Sequence, residues 1–461
     1  MDHNLHEGKT VVTRIPPSPT GRLHIGTVRT ALFNYLYAKH HGGHMVFRSE
    51  DTDRARSTKE FEEEIITGLS NLGLHWSNND TIVRQSERGA IYREQLDRII
   101  TAGTAYISEE PSKADETKLV QVVRLKNPNK DITFHDLIRG DITFNTTELG
   151  DVVIARSLDD ALYHFTVVVD DELMGVTHVI RGEDHISNTP RQILIQEALG
   201  FSRPVYAHLP LILASDRSKM SKRHGAVAIK DYQAEGFLDE AIINYMALMG
   251  WNPGTDRELF TLPELVEAFS IDHVQKSGAI FNREKFLWYN RVYLDKLPAA
   301  AFAAYIAPAI NDRLTSLPQY SDDRLAKLLP TIRERIKVRS ELTTDIETGE
   351  YDFAFTTPAY DTGVLRPKNV EDIALIVPHL QALTSLLREA DFSSPETIKQ
   401  AIWSYAEVQG KGNVLWPLRT ALSGRAQSPD PFTIAYVLGQ QETLARILTA
   451  CDKIVRDASR A

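Results

Sequence analysis

Arg14-Ile-Pro-Pro-Ser-Pro-Thr-Gly-Arg-Leu-His-Ile-Gly-Thr27 is the stretch on which the reading of this chain turns. Before it, the β-branched run Thr10 to Ile15 predicts a short buried strand. After it, Leu23, Val28, Ala31, Leu32, Tyr35 and Leu36 recur at helical spacing, and Gly42-Gly43 is expected to end that helix in a left-handed turn. Between the two, Pro16, Pro17 and Pro19 stiffen a turn that delivers the chain to a helix N-terminus. Open α/β sheets bind ligands where a strand ends in a turn and opens a helix. The unpaired N–H groups and the helix dipole there attract phosphate. His24, near the helix start, can donate to a phosphate oxygen, and Gly21 and Gly26 let a flat base or ribose lie on the backbone. Taken alone, the stretch is equally an ordinary β-turn-α unit with a surface histidine.

The second informative stretch is Ser218-Lys-Met-Ser-Lys-Arg-His-Gly225, which follows the apolar run His208 to Ala214. Lys219 and Lys222 on a flexible loop can close over a triphosphate and neutralise the charge that builds up as pyrophosphate leaves. A solvated basic loop is the plainer account. The two stretches together are far more specific than either alone.

Pro17-Ser-Pro-Thr-Gly with His24-Ile-Gly26 resembles the HIGH signature of class I aminoacyl-tRNA synthetases, and Lys219-Met-Ser-Lys-Arg223 resembles their KMSKS loop. With Arg48-Ser-Glu-Asp-Thr-Asp53 and Val179-Ile-Arg-Gly-Glu-Asp-His185, the wording is most similar to the bacterial glutamyl-tRNA synthetases. The likeness is close to about residue 290 and looser beyond; Thr27 and Pro16 depart from common forms of the first motif.

The resemblance implies activation of L-glutamate by ATP with Mg²⁺, then transfer to the 3′ end of tRNA(Glu), and in some members tRNA(Gln). Neither step needs a protein nucleophile, so catalysis is positioning and charge stabilisation. By that likeness Thr20, Gly21, His24 and Gly26 hold ATP, and Lys222, assisted by Lys219 and Arg223, stabilises phosphate charge. A carboxylate substrate asks for a guanidinium fork. Arg14 and Arg181 end two predicted strands and Tyr163 begins another. All three are implied to recognise the distal carboxylate, with Glu50 and Ser18 receiving the α-ammonium. Structural pairing of the arginines with Glu50, Asp51 or Glu183 is the competing account. Asp51, Asp53, Glu183 and Asp184 read as salt-bridge partners rather than a metal site. Some relatives carry a zinc-binding cysteine cluster in the insertion; Thr104 to Ser108 offers none, so no zinc and no protein metal site are expected.

At 461 residues the chain exceeds one ordinary core, so several domains are expected. A net charge of -10 argues against indiscriminate polyanion binding but leaves local patches open, one candidate being Arg333, Arg335, Lys337 and Arg339. No apolar run approaches the ~18 residues that span a bilayer, and Met1 to Lys9 does not read as a signal peptide. The lone Cys451 fits a reducing cytoplasm.

Along the chain, strand and helix alternate over residues 8–103: His44 to Arg48 is a strand, Ser57-Thr-Lys-Glu60 a capping box, and Glu87 to Ala102 a helix. Short strands over 104–161 suggest an inserted α+β subdomain rather than continuation of the sheet. Leu162 to Val169 and Thr177 to Arg181 read as buried strands that resume the first domain over 162–237, with a helix from Thr189 to Leu199. The fold class is α/β: a Rossmann-like parallel sheet split by the insertion, then all-helical parts at 238–321 and 322–461. By resemblance the insertion contacts the tRNA acceptor end, 238–321 the stem and 322–461 the anticodon, in a protein expected to be monomeric.

Four neighbouring families differ from this sequence in particulars. Glutaminyl-tRNA synthetases typically have Glu and Asn where Ser18 and Thr20 stand, and a β-barrel anticodon region. Enzymes that modify queuosine in an aspartate tRNA with activated glutamate lack the anticodon-binding region. Non-catalytic RNA-binding paralogues usually lose the phosphate-handling residues, whereas His24 and Lys222 are kept, and small adenylyltransferases are too short.

Overall fold

The computed structural model describes residues 8–79, 81–111, 117, 119–220, 228–368 and 370–459, and the chain divides into two units, 1–289 and 290–461. In the first, β1 (Val12–Ile15) leads through the proline-rich turn into α1 (Ile25–His40), then β2 (His44–Ser49), α2 (Lys59–Asn71), β3 (Val83–Arg84) and α3 (Gly89–Thr101). β1 pairs with β2 and β2 with β3, all parallel, as βαβ connections dictate.

The chain then leaves this sheet through β4 (Ala105–Pro111), β5 (Leu119–Leu125), β6 (Asp131–Asp136), β7 (Gly140–Asn145), β8 (Val152–Ser157) and β9 (Asp160–Ala161). It returns through α4 (Tyr163–Leu173), β10 (His178–Gly182), α5 (Thr189–Leu199) and β11 (Val205–Leu209). β10 runs parallel to β11, and Thr177 N–H donates to the Val12 carbonyl at 2.9 Å, so β10 lies beside β1. From β1 the chain proceeds to β2 on one side, while β10 and β11 extend the other. That is a topological switch point, and the crevice past the carboxyl ends of β1 and β10 is where such sheets take ligands.

Within the insertion, β4, β5, β8 and β9 form an antiparallel sheet of their own. β6 and β7 do not join it: the hairpin docks on β11, with Asp136 opposite Tyr206. The expectation that the whole insertion stands apart from the main sheet is corrected for this hairpin. Ile132 and Phe134 give the reason, since both bury into the core shared with Val179, Ile193 and Tyr206.

Leu162 to Val169 is the largest change, because it is helix and not strand. Three successive valines carry high β propensity, but a short apolar run cannot separate a buried strand from a buried helix. Phe165, Val168 and Val169 pack into the core with Leu96 and Ile193, while the adjacent Asp170 and Asp171 reach different partners. Helical spacing meets both demands. The cap of α2 also moves by one residue: Thr58, not Ser57, accepts the Phe61 N–H at 3.2 Å.

After β12 (Ile212–Leu213) come α6 (Ile229–Glu235), α7 (Asp239–Leu248), α8 (Leu262–Ala268), β13 (Ala279–Ile280) and α9 (Arg283–Lys296). The second unit is helical among its described residues and gathers one core from Phe302 to Ile454. Its candidate basic patch is largely engaged internally. Arg333 donates to the Leu297 carbonyl at 2.8 Å, Arg335 pairs with Asp345 and Glu350, each at 3.2 Å, and Arg339 lies over the Tyr305 ring. No helix among the described residues is long and apolar enough to cross a membrane.

Candidate active site

β1 and β10 each carry an arginine one residue before their carboxyl ends, and both side chains are turned inward: Arg14 is 2% and Arg181 5% exposed. Arg14 makes one hydrogen bond, to the Ile180 carbonyl at 3.3 Å; its Nε lies 3.5 Å from Asp171 without bonding to it. Among the described residues Arg181 touches no carboxylate. Its Nε donates to His208 Nε2 (3.1 Å), one Nη to Gln192 (2.7 Å) and the other to Thr189 (2.9 Å). A guanidinium has five N–H bonds, so two remain on Arg181 and four on Arg14. The charge of Arg14 also repels that of Arg181, and, after burial itself, helps hold the Arg181 pKa below its ordinary value. Two buried like charges with unused donors are costly unless an anion joins them.

Of the remaining predicted specificity residues, Tyr163 and Glu50 lie within electrostatic reach of this pair. Tyr163 opens α4 rather than a strand. Burial first, then the Glu50 charge, pushes its pKa up to about 12, and both Arg14 and Arg181 act on it in the opposite direction. Glu50 is buried and accepts from Arg48 at 3.0 Å; desolvation nevertheless lifts its carboxyl above the usual range. Its N–H donates to the Pro17 carbonyl at 2.9 Å, which brings it to the turn that carries Ser18, itself exposed. Neither arginine pairs with Glu50, Asp51 or Glu183; the structural ion pair that Arg14 does make is with Asp171, at 3.5 Å. Asp51 instead accepts from Ser86, and Glu183 accepts the Leu211 N–H.

At the helix start, His24 is the N-cap residue of α1, with its ring exposed. Protein crowding on its other sides, then the Lys219 ammonium, lowers its pKa. Its Nε2 lies 3.3 Å from the Thr27 hydroxyl. A Cβ on Gly26 would come within 3.1 Å of the ring, so Gly26 makes room for the imidazole, whereas the space beside Gly21 is open. Thr20 bonds through its N–H to the Ser18 carbonyl at 2.8 Å, holding the turn tight.

Lys222 and Arg223 lie outside the described residues, but the chain before and after them is placed. Lys219 pairs with Asp184 at 2.8 Å and acts electrostatically on His24; on the far side, Ala228 bridges to His24, and the Ile229 N–H donates to the Leu23 carbonyl at 2.9 Å. The two stretches therefore meet.

Sequence reasoning missed Asp171, which accepts from Arg48 at 2.7 Å and faces Arg14. It also missed the set that holds Arg181. Asp171 would have emerged had the valine run been read as helix, whereas His208 heads an apolar run where a polar residue is out of place.

A parallel sheet whose switch point carries two buried arginines, beside a helix N-terminus capped by His24 and close to Lys219, is the architecture of nucleotide-binding α/β domains. The sequence matches the family described as tRNA synthetases class I (E and Q), catalytic domain, over residues 10–117 and 107–288, and an anticodon binding domain over 301–451. It is 36% identical to a glutamate–tRNA ligase of Desulforamulus reducens, across 96% of this chain and 99% of that protein. Against a glutamate–tRNA ligase of Aquifex aeolicus it is 38% identical, across 96% and 99%. A crystal structure of a glutamate tRNA ligase from Elizabethkingia meningosepticum, in complex with its amino acid, superposes with a TM-score of 0.82 at 30% identity, covering 97% of this chain and all of that one. The chain belongs to the class I aminoacyl-tRNA synthetases of the glutamate and glutamine group.

Proposed function

We propose that this protein is a glutamate–tRNA ligase, which joins L-glutamate to ATP as glutamyl-adenylate, releasing pyrophosphate, and passes the glutamyl group to the terminal ribose of tRNA(Glu). The observation that carries the substrate is the pair of buried, under-bonded guanidinium groups of Arg14 and Arg181 at the switch point. A distal carboxylate between them supplies the missing acceptors, with the Tyr163 hydroxyl as a third donor. Glutamine presents an amide there and leaves one donor without an acceptor, which favours the acid. Glu50 and Ser18 take the α-ammonium and so aim the α-carboxylate toward the helix N-terminus.

There Thr20, Gly21, His24 and Gly26 seat ATP. A neutral His24 donates one N–H to phosphate and adds no charge that departing pyrophosphate would have to leave behind. Lys219, Lys222 and Arg223 collect that charge. Among the described residues no group of three or more His, Cys, Asp or Glu side chains could hold a metal. Mg²⁺ enters with the nucleotide on phosphate and water ligands, since a triphosphate calls for a hard cation.

The insertion (104–161) is assigned to the acceptor end, 238–321 to the stem and 322–461 to the anticodon, in a cytoplasmic monomer. The buried, free Cys451 is in keeping with a reducing compartment. Pyrophosphate exchange with glutamate, with glutamine and with neither, each with and without tRNA, tests the activity; exchange with glutamine alone would overturn it. Charging assays on tRNA(Glu) and tRNA(Gln) test whether the partner set extends to the second. Lys222→Ala should cut exchange severely with an unchanged melting temperature, and unaltered exchange would remove the loop from the mechanism.

A further inference from the structure

Behind Arg181 lies a buried chain of contacts that neither of the two motifs contains. His208 is fully buried and sits opposite Arg181 in the register between β10 and β11. Its Nε2 is 3.1 Å from Arg181 Nε, and its Nδ1 is 2.6 Å from an oxygen of Asp136, which is also fully buried. Asp136 comes from β6, the inserted strand that docks on β11.

The protonation pattern follows from the partners. Arg181 Nε can only donate, so the nitrogen that faces it must carry a lone pair. Asp136 Oδ1 accepts the N–H groups of Ile138 (3.0 Å) and Arg139 (2.9 Å), which suits an ionised carboxylate whose Oδ2 is left to accept from Nδ1–H. One tautomer satisfies both ends: proton on Nδ1, lone pair on Nε2. The alternative tautomer and the imidazolium each set an N–H against the Arg181 N–H.

We propose that Asp136 and His208 are positioning residues for glutamate. Asp136 fixes the imidazole tautomer, and His208, through its Nε2 lone pair, anchors the Nε edge of Arg181 so that the opposite edge of the guanidinium faces the substrate carboxylate. With Gln192 and Thr189 each taking one Nη hydrogen, the plane of the fork is held on three sides before substrate arrives. The inserted hairpin thereby contributes a side chain that bears on amino-acid recognition. The inference rests on the assignment of Arg181 to the substrate carboxylate.

Four variants of the full-length enzyme test it, each measured by pyrophosphate exchange in the presence of tRNA, with Michaelis constants for glutamate and for ATP. Asp136→Asn keeps size and the backbone bonds but can donate to Nδ1, which turns the ring to the wrong tautomer. It should raise the glutamate constant on the order of tenfold, with the ATP constant unchanged. His208→Leu should do the same. His208→Gln places an amide oxygen where the lone pair was and should recover most of the loss. Arg181→Ala is the control for the underlying assignment: an unchanged glutamate constant there refutes the substrate role of Arg181, whatever the other variants do. With that control positive, an unchanged glutamate constant in Asp136→Asn overturns the proposal. So do equal rises for glutamate and ATP, or a Gln variant no better than Leu. Should His208→Leu fail to fold, the comparison of Asp136→Asn with His208→Gln decides the matter alone.

Discussion

The chemistry proposed for the switch point rests on single side chains, and two changes there have different signatures. Arg181→Ala removes a charge-assisted fork of the kind worth roughly 1.5–3 kcal/mol per bond to a charged group. The glutamate Michaelis constant should rise on the order of 10- to 100-fold while that for ATP stays put. Equal rises would mark a structural arginine. His164 behaves differently. Burial, then the charges of Arg191, Arg181 and His185, lowers its pKa from 6.5 to about 4, and its Nδ1 has no partner. The folded state therefore prefers the neutral ring, so the stability it contributes is whole above about pH 6.5 and drains away as pH falls toward 4. Discounted for its partial exposure, the loss is on the order of 1–3 kcal/mol. His164→Leu should flatten the fall of melting temperature across that window; an unaltered slope would mean that the imidazole is protonated without penalty. His185, also lowered to about 4 but half-exposed, leaves a smaller slope behind.

Among elements, the end of α1 separates two glycines that look alike in sequence. Gly42 has the left-handed backbone expected of a helix stop, with φ at +69° and open space where a Cβ would stand. Gly43 does not: its restriction is the Val11 carbonyl, 1.9 Å from an ideal Cβ. Gly42→Ala should thus cost about 1 kcal/mol in urea unfolding. Gly43→Ala should cost more, roughly 1–3 kcal/mol or beyond, because backbone must move and with it the approach to β1. The reverse order would show that φ and not space governs this turn. The same contrast explains what could be read in advance. β1, α1, β2, α3 and α5 were legible because periodicity and stop residues agree over many positions. α4 was not, since Val167-Val-Val169 satisfies strand propensity and only Asp170 and Asp171, aimed at different partners, require helical spacing. The turn that carries Thr20, Gly21, His24 and Gly26 was legible as a turn into a helix because those residues lie close together in sequence. Asp136 and Asp171 were not, because their partners lie 72 and 123 positions away.

At the scale of the molecule, the groups assigned to activation all belong to the unit 1–289, whereas the anticodon-domain match falls within 290–461. Each unit has a hydrophobic core built from its own residues: Val12 to Tyr206 in one, Phe302 to Ile454 in the other. Cores that share no residues need not melt together. Leu418 is fully buried within the second core, among Leu380, Ala421 and Ile447. Leu418→Ala deletes buried methyl groups and leaves a cavity, a change that destabilises by about 2–5 kcal/mol. Calorimetry of the variant should show two transitions, one shifted down by several degrees and the other unmoved. Saturating ATP and glutamate, which act on the first unit, should raise the unmoved transition and leave the shifted one alone. A single transition that falls as a whole in the variant and rises as a whole with ligands would instead make the helical half and the catalytic half one cooperative body. In that case loss of packing at Leu418 would be felt at Arg14 and Arg181 as well.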